Sequence, residues 1–301
     1  MTSHANHRWL PVVAIGITLV FWASAFVAIR DLGEEVTPGA LSLGRLLVGS
    51  LTLGVFLLFR PRRWPSRADW PGLVVCGVLW FGVYNLALNE GERRIDAGTA
   101  AMLIQVAPLL IAILAVWFLR ERPTWYLGAG LMLGFGGVVL ISFSTSGAGE
   151  RDVLGVVLCL LAAAAYSISM VLQKPLLGRL SALEVTWFAC TIGAVVCLPF
   201  AGDLVRTVQE VPLSSVGWIV YLGIFPTAIA FTTFAYALAR MDASRLGVTT
   251  YLVPPITIGL SWAVLDEVPP LLAIVGGAVS LVGVAVARIR PRRPAVVLQD
   301  A

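Results

Sequence analysis

The chain has 301 residues, of which 58% are hydrophobic and 13% are charged, and its mean hydropathy is +0.90. Soluble domains are about half apolar and a quarter charged, so this composition excludes an ordinary soluble protein and predicts an integral membrane protein. The net charge of +4 is small, and the sequence has no basic stripe with interleaved aromatic residues. Nucleic acid is therefore not an expected partner.

Ten apolar segments are long enough to cross a lipid bilayer as helices, which takes about 20 residues. The first of them follows a basic residue, as a signal peptide would, but its length favours a membrane span. The linkers between the segments are short, so the predicted fold class is all-α integral membrane. In chain order the segments cover residues 9–29, 38–59, 70–90, 97–119, 124–145, 152–173, 182–202, 213–238, 246–265 and 269–288.

The distribution of basic residues predicts the orientation of these segments. With the N-terminus in the cytoplasm, the cytoplasmic segments carry about three times as many Lys and Arg residues as the outer segments. Both termini are therefore predicted to be cytoplasmic, in a multi-pass protein of a bacterial-type inner (plasma) membrane. Residues 289–301 form a basic cytoplasmic tail.

The chain repeats itself at an offset of 146 residues. The sequence that begins at Asp96 aligns without a gap with the sequence that begins at Asp242. Each repeat holds five spans, over residues 9–145 and 152–288. Because five is an odd number, the second repeat must enter the membrane from the opposite side. The sequence thus predicts two inverted five-helix repeats, an architecture typical of secondary transporters.

The alignment places Pro108 on Pro254, in the fourth span of each repeat. Proline removes a backbone donor and leaves a carbonyl without its helical partner. In a membrane, such a break is tolerated where protein or a water-filled cavity satisfies the backbone. Paired breaks in equivalent spans indicate a binding site, although a packing kink without a ligand also explains them. Glu121 and Glu267 coincide at the ends of these spans, where each suits the dipole of the helix that follows.

Three stretches carry a family resemblance. FWASAFVAIRD lies in the first span, LGRLLVGSL lies in the second, and a proline-bearing span with a terminal glutamate precedes a glycine-rich span in both repeats. They resemble the drug/metabolite transporter superfamily, EamA type, over nearly the whole chain. The resemblance implies export of amino acids, related metabolites or drugs. The second repeat departs from the pattern, with Ala189 or Cys190 near the place where the first has Arg45.

The resemblance also implies that the fifth and tenth spans lie away from the substrate cavity. These spans carry Gly130-x-x-x-Gly134 and Gly276-x-x-x-Ser280. Small residues at this spacing let membrane helices approach closely. The two spans are therefore expected to support packing within the chain or a homodimer.

Polar and aromatic groups from four spans are predicted at one depth. At ~1.5 Å per residue, Trp22, Arg45, Asn85 and Gln105 lie roughly 8–12 Å from the outer face. Ionisable residues inside a span are candidates for function, whereas amides also join helices to one another, and Arg45 could instead pair with Glu90 or Asp96. The predicted substrate-binding and cavity residues are Trp22, Arg45, Tyr84, Asn85, Gln105, Pro108, Tyr166, Thr250, Tyr251 and Pro254.

Trp22 and Tyr166 occupy equivalent positions in the two repeats, one predicted toward each membrane face. Our hypothesis is that they help to form an outer and an inner gate. Ordinary packing of two large aromatic side chains is the alternative explanation.

Several missing motifs narrow the function. The sequence has no Walker A motif, no HExxH motif and no pair of acids in mid-span, so no cofactor, metal or catalytic residue is predicted. One buried arginine and a single lysine argue against a phosphate cargo. The prediction is a secondary transporter of small neutral or zwitterionic metabolites such as amino acids, working by alternating access around a midplane cavity. A multidrug or quaternary-amine exporter of the same fold, and a membrane-embedded enzyme or sensor, are the alternatives.

Overall fold

The computed structural model describes residues 9–32, 35–60, 63–94, 100, 103–145, 152–265 and 270–289. Over these residues every regular element is a helix, and none is a strand. Six of the described helices are long and apolar enough to cross a membrane, and one bent pair of helices brings the number to seven. The prediction of an all-α integral membrane protein is confirmed, and the number of ten spans stays a prediction.

The helices of each repeat are separated by short turns and, in the third span, by a π-helical segment; we call these segments π1 and π2. The helices of the first repeat are α1 (Leu10–Leu32), α2 (Pro38–Leu58), α3 (Trp70–Cys76), π1 (Gly77–Val83), α4 (Tyr84–Glu92), α5 (Ala107–Phe118) and α6 (Trp125–Thr145). The helices of the second repeat follow a similar order. They are α7 (Val153–Leu176), α8 (Ala182–Val196), α9 (Ala201–Glu210), α10 (Leu213–Leu222), π2 (Gly223–Ile229), α11 (Ala230–Leu238), α12 (Ala243–Thr249), α13 (Val253–Leu265) and α14 (Leu271–Ala287).

The two π-helical segments lie at equivalent positions in the third span of each repeat. Gly77–Val83 and Gly223–Ile229 are separated by the same 146 residues that relate the repeats. Each segment begins with a glycine, where a Cβ would lie 2.8 Å from the Ala189 carbonyl oxygen in the first repeat and 2.9 Å from the Arg45 carbonyl oxygen in the second. Glycine therefore lets each segment pack directly on the backbone of a second helix. Short π segments inside α-helices occur often at functional sites.

The fourth span is broken in both repeats, directly before the paired prolines. In the first repeat, residues 105–106 form a turn, and α5 begins at Ala107 with Pro108 in its first turn. In the second repeat, α12 gives way to a 3₁₀ turn over Thr250–Leu252, after which α13 carries Pro254 in its first turn. Proline lacks the N–H that would continue the helix, and an N–H in the first turn has no helical partner in any case. The predicted matched breaks are confirmed.

Helices α6 and α14 pack against each other at backbone distance. A Cβ at Gly130 would lie 2.5 Å from the Gly283 carbonyl oxygen, and one at Gly137 would lie 2.5 Å from the Gly276 carbonyl oxygen. Gly130 is equivalent to Gly276, and Gly137 is equivalent to Gly283. The repeat therefore relates the Gly130–Gly283 contact to the Gly137–Gly276 contact. The glycine faces thus pack against each other within one chain, which is one of the two roles expected for them, and a homodimer stays a prediction.

Candidate substrate site between the repeats

A cluster of aromatic rings fills the centre of the bundle; we call it the central cluster. The Trp22 ring lies 6.5 Å from Trp80 and 4.9 Å from Phe234, measured between ring centroids. The Trp80 ring lies 5.0 Å from Tyr166 and 5.1 Å from Phe231. Four elements from both repeats, α1, π1, α7 and α11, therefore meet through aromatic side chains. Trp80 and the two phenylalanines were not predicted from the sequence as site residues, although Trp80 lies outside the interfacial belt that most tryptophans occupy.

The predicted separation of Trp22 and Tyr166 into two gates is wrong for this conformation. Their ring centroids are 6.4 Å apart, in an edge-to-face arrangement within one cluster. The predicted water-filled hollow is also not open here, because the side chains of the central cluster occupy the space between the repeats.

Arg45 is buried beside the central cluster, with 7% of its surface exposed. Its Nε donates a hydrogen bond to Thr227 Oγ1 at 3.1 Å, and that hydroxyl donates in turn to the Leu222 carbonyl oxygen at 2.8 Å. Tyr84 lies close enough to Arg45 to interact electrostatically, and its ring lies 6.1 Å from Tyr166. The first repeat thus supplies a cation, and π2 of the second repeat supplies its neutral partner.

No carboxylate among the described residues forms an ion pair with Arg45. Glu90, one of the two acids that could have paired with it, instead contacts Arg94 at 2.8 Å. Asp96, the other, lies outside the described residues. A buried guanidinium with a neutral partner can still attract an anion, since its N–H donors outnumber what one hydroxyl accepts.

Gln105 repairs the backbone break of the other repeat. Pro254 has no N–H, so the carbonyl four residues earlier, that of Thr250, lacks an α-helical donor and accepts instead from the Val253 N–H in the 3₁₀ turn. The Gln105 Nε2 donates to this carbonyl oxygen at 3.0 Å, and both residues are buried. The sequence prediction placed Gln105 and Thr250 in the cavity, and the structure shows a bond between them that joins the repeats next to the central cluster.

We expect Gln105→Leu to lower the free energy of unfolding by about 0.5–1.5 kcal/mol, because it removes one of the two hydrogen bonds that the buried Thr250 carbonyl accepts, the other coming from the Val253 N–H. Thermal unfolding in detergent measures this loss. Pro254→Ala provides a matched test, since it restores an N–H four residues after Thr250. Adding Pro254→Ala to Gln105→Leu should recover part of the lost stability, and an unchanged melting midpoint in Gln105→Leu would contradict the role of the bond.

Two other predicted cavity residues, Asn85 and Tyr251, make contacts within the helix bundle in this conformation. Asn85 Nδ2 donates to the Phe81 carbonyl oxygen at 2.8 Å, within the end of π1. Tyr251 packs on Gly134 of α6, in an apolar cluster that includes Val284 and is separate from the central cluster. Tyr251 thus lies apart from the central cluster in this structure, and its role in the cavity stays a prediction.

A second set of contacts joins the repeats at one end of the bundle; we call it the Glu121 latch. The Glu121 carboxylate accepts hydrogen bonds from the Ala243 N–H at 2.6 Å, the Ser244 N–H at 3.1 Å and the Ser244 hydroxyl at 2.6 Å. Lys174 Nζ lies 3.1 Å from the same carboxylate. The sequence assigned Glu121 to the helix that follows it, and the structure shows it capping α12 of the other repeat. Glu267 lies outside the described residues.

The model of the EamA-like transporter family matches the chain twice, over residues 9–143 and 153–289. The chain belongs to the EamA-like transporter family. The two matches cover nearly the whole sequence, and they confirm the resemblance that its motifs indicated.

Relatives of this EamA-like transporter are named as transporters. The chain is 37% identical over 273 residues to the "Probable terminal-alkyne amino-acid exporter" of Streptantibioticus cattleyicolor, with 91% of each chain covered. It is 33% identical to "Uncharacterized transporter YdfC" of Bacillus subtilis, with 91% of this chain and 89% of the relative covered. A crystal structure with 22% sequence identity superposes with a TM-score of 0.77 over 92% of this chain and 96% of the other, which shows a shared fold.

The centre of this EamA-like transporter therefore combines one buried cation with a set of aromatic rings. The Arg45 guanidinium suits a carboxylate, which accepts charge-assisted hydrogen bonds. The faces of Trp22 and Trp80 suit an ammonium group, which is attracted to the electron-rich face of an aromatic ring. Both features lie between helices of the two repeats, in a core that also holds buried polar residues such as Asn85, Gln105 and Ser167.

Proposed function

We propose that the protein is a secondary transporter that exports small neutral or zwitterionic metabolites such as amino acids across a bacterial-type inner membrane. In this proposal ten spans form two inverted five-helix repeats, residues 9–145 and 152–288, with both termini in the cytoplasm. The substrate binds between the repeats, which expose it to each side of the membrane in turn. The matched breaks before Pro108 and Pro254 support this arrangement, since transporters of this kind bind substrate where equivalent spans are interrupted.

The observation that carries the choice of substrate is the single buried guanidinium of Arg45 next to an aromatic cluster. One cation balances one carboxylate, whereas a phosphate dianion needs several donors with charge. The aromatic rings offer a site for the ammonium end of the same molecule. A relative named as an amino-acid exporter supports the same class of cargo.

Counterflow in proteoliposomes tests this function with the purified full chain. We expect uptake of a labelled amino acid that depends on unlabelled amino acid trapped inside the vesicles. Arg45→Gln should slow that uptake by about 10–100-fold, as expected when a charge-assisted hydrogen bond of ~1.5–3 kcal/mol is lost. Arg94→Gln is a matched control, because Arg94 lies exposed at one end of the bundle, paired with Glu90 and Asp152.

The aromatic rings also favour a second function, export of drugs or quaternary amines, because such cations bind aromatic faces without any anion partner. The same assay separates the two. Counterflow of tetramethylammonium that is unchanged by Arg45→Gln would support the second function. Amino-acid counterflow that is equally fast in Arg45→Gln would contradict the first. Absence of counterflow for every solute would favour the membrane-embedded enzyme or sensor.

A further inference from the structure

Helix α7 carries three buried polar atoms that lack a hydrogen-bond partner. They are the Tyr166 hydroxyl, the Ser169 hydroxyl and the Gln173 Oε1. The relative exposures of the three residues are 5%, 0% and 1%. Spacings of three and seven residues place all three on the same face of the helix. We call this face the α7 polar strip.

A satisfied polar residue on the same helix shows the contrast. Ser167 is as buried as Ser169, and its hydroxyl hydrogen-bonds to the Ala163 carbonyl oxygen at 2.7 Å. Buried polar groups in folded proteins nearly always have such a partner, because burial removes their hydration without replacing it. Three exceptions on one helical face therefore call for an explanation that a purely structural role does not supply.

The position of the strip connects two features already described. Tyr166 belongs to the central cluster. Gln173 is followed by Lys174 of the Glu121 latch. The strip thus extends from the centre of the bundle to the end that the latch closes. Thr250 lies near the Tyr166 hydroxyl, but the two do not meet hydrogen-bond geometry.

The strip is present in only one repeat. Aligning Trp22 with Tyr166 places Ala25 on Ser169 and Ile29 on Gln173. The equivalent face of α1 is therefore apolar beyond its tryptophan. The three polar residues of α7 are therefore not a feature that the two repeats share. The equivalent face of α1 packs without polar residues at these positions.

We propose that the α7 polar strip lines the passage from the central cluster to the latched end. When the latch opens, its three polar groups hydrogen-bond to the polar groups of the passing substrate and to its hydration water. This inference rests on the proposed function. The strip offers hydroxyl and amide groups and no charge, so it accommodates neutral or zwitterionic solutes rather than a phosphate dianion.

Thiol accessibility tests the strip without any substrate. Ser169→Cys and Gln173→Cys are each introduced into the full chain, with and without Glu121→Gln to weaken the latch. A small hydrophilic methanethiosulfonate is the probe, and the unmodified chain, whose four cysteines are buried, gives the background. We expect Glu121→Gln to speed labelling of both positions about tenfold, because it raises the population of the open state. Ser167→Cys is the matched control and should remain unlabelled.

Labelling of Ser169→Cys that is no faster than that of Ser167→Cys when the latch is weakened would overturn the proposal. The labelling assay needs no substrate, so it tests the passage along the α7 polar strip separately from the transport function. Faster labelling without counterflow of any solute would leave the strip as an opening passage and contradict the transport function. Amino-acid counterflow with no change in labelling would support transport and reject the strip.

A second measurement separates a passage from a structural role. Ser169→Ala and Gln173→Leu remove atoms that have no partner, so the thermal midpoint in detergent should be equal to or higher than that of the unmodified chain. We expect counterflow of the amino acid to fall about tenfold in Gln173→Leu, as loss of one hydrogen-bonding group along the path predicts. A lowered midpoint, or unchanged counterflow in both variants, would contradict the proposal.

Discussion

Replacing Glu121 with alanine is expected to lower the free energy of unfolding by about 2–4 kcal/mol, since capping bonds and charge-assisted hydrogen bonds contribute on that scale. The substitution removes three hydrogen bonds to the first turn of α12 and the ion pair with Lys174. It also removes one of the contacts between the repeats, which the Arg179–Asp69 ion pair joins as well. Thermal unfolding of the purified chain in detergent measures the loss.

Two variants serve as controls for Glu121→Ala. Ser244→Ala removes only one of the hydrogen bonds, so it should cost about 1 kcal/mol. Glu210→Ala removes an exposed acid of α9 and should leave the melting midpoint unchanged. Equal midpoints for Glu121→Ala and Glu210→Ala would show that the latch does not stabilise the fold.

The Glu121 latch also predicts a dependence on pH. Burial alone would raise the pKa of the Glu121 carboxyl, but the hydrogen bonds from Ser244 and Ala243 and the charge of Lys174 outweigh it, and the pKa lies below its ordinary value. A depressed pKa means that the latch stabilises the fold above the unfolded pKa of about 4.3 and loses this effect as the pH falls through the folded pKa. Between about pH 5 and pH 3 the midpoint of the unmodified chain should therefore fall further than that of Glu121→Gln.

Replacing Gly137 with alanine is expected to cost at least about 2 kcal/mol, because an added methyl would overlap backbone that cannot move aside. The Cβ would lie 2.5 Å from the Gly276 carbonyl oxygen and equally close to the Ser280 backbone nitrogen. The α6–α14 pair would have to separate along much of its length. The melting midpoint and the monodisperse fraction in size-exclusion chromatography both report this loss.

The neighbouring residue provides a matched control for Gly137→Ala. A Cβ at Gly136 meets nothing within 4 Å, so Gly136→Ala has the same chemistry without the overlap. Alanine also favours a helix over glycine by up to about 1 kcal/mol, so this variant should be neutral or stabilised. Equal effects of the two substitutions would show that α6 and α14 do not approach at backbone distance.

The features that were predictable from the sequence depend on residues, such as proline and glycine, that determine the backbone at their own position. A proline removes the donor that would continue a helix, so Pro108 and Pro254 indicated the interruption in each fourth span, whereas Pro226 lies inside π2 without ending its span. Glycine similarly marks a close approach, and the repeat indicated that Gly130 and Gly276 act at equivalent places. Composition and hydropathy alone predicted the all-helical membrane class.

The parts that were not predictable depend on which residues meet across the two repeats. Glu121 was assigned to its own neighbouring helix, whereas it caps a helix more than a hundred residues away. Tyr251 was placed in the cavity by alignment with Gln105, but it lies apart from the central cluster in this structure. Trp80 belongs to no sequence motif, and only its contacts with Trp22 and Tyr166 place it in the candidate substrate site.

The paired π segments have a mechanical consequence for the bundle. A helix in lipid cannot unwind cheaply, because its freed N–H and C=O groups would find no water. A wide turn can instead shift along the helix by one residue, which rotates the side chains it passes by about 100° while the remaining backbone bonds re-form. Segments π1 and π2 place a wide turn at the same point of each third span, and moving either turn by one residue would rotate the side chains that it passes toward a different neighbour.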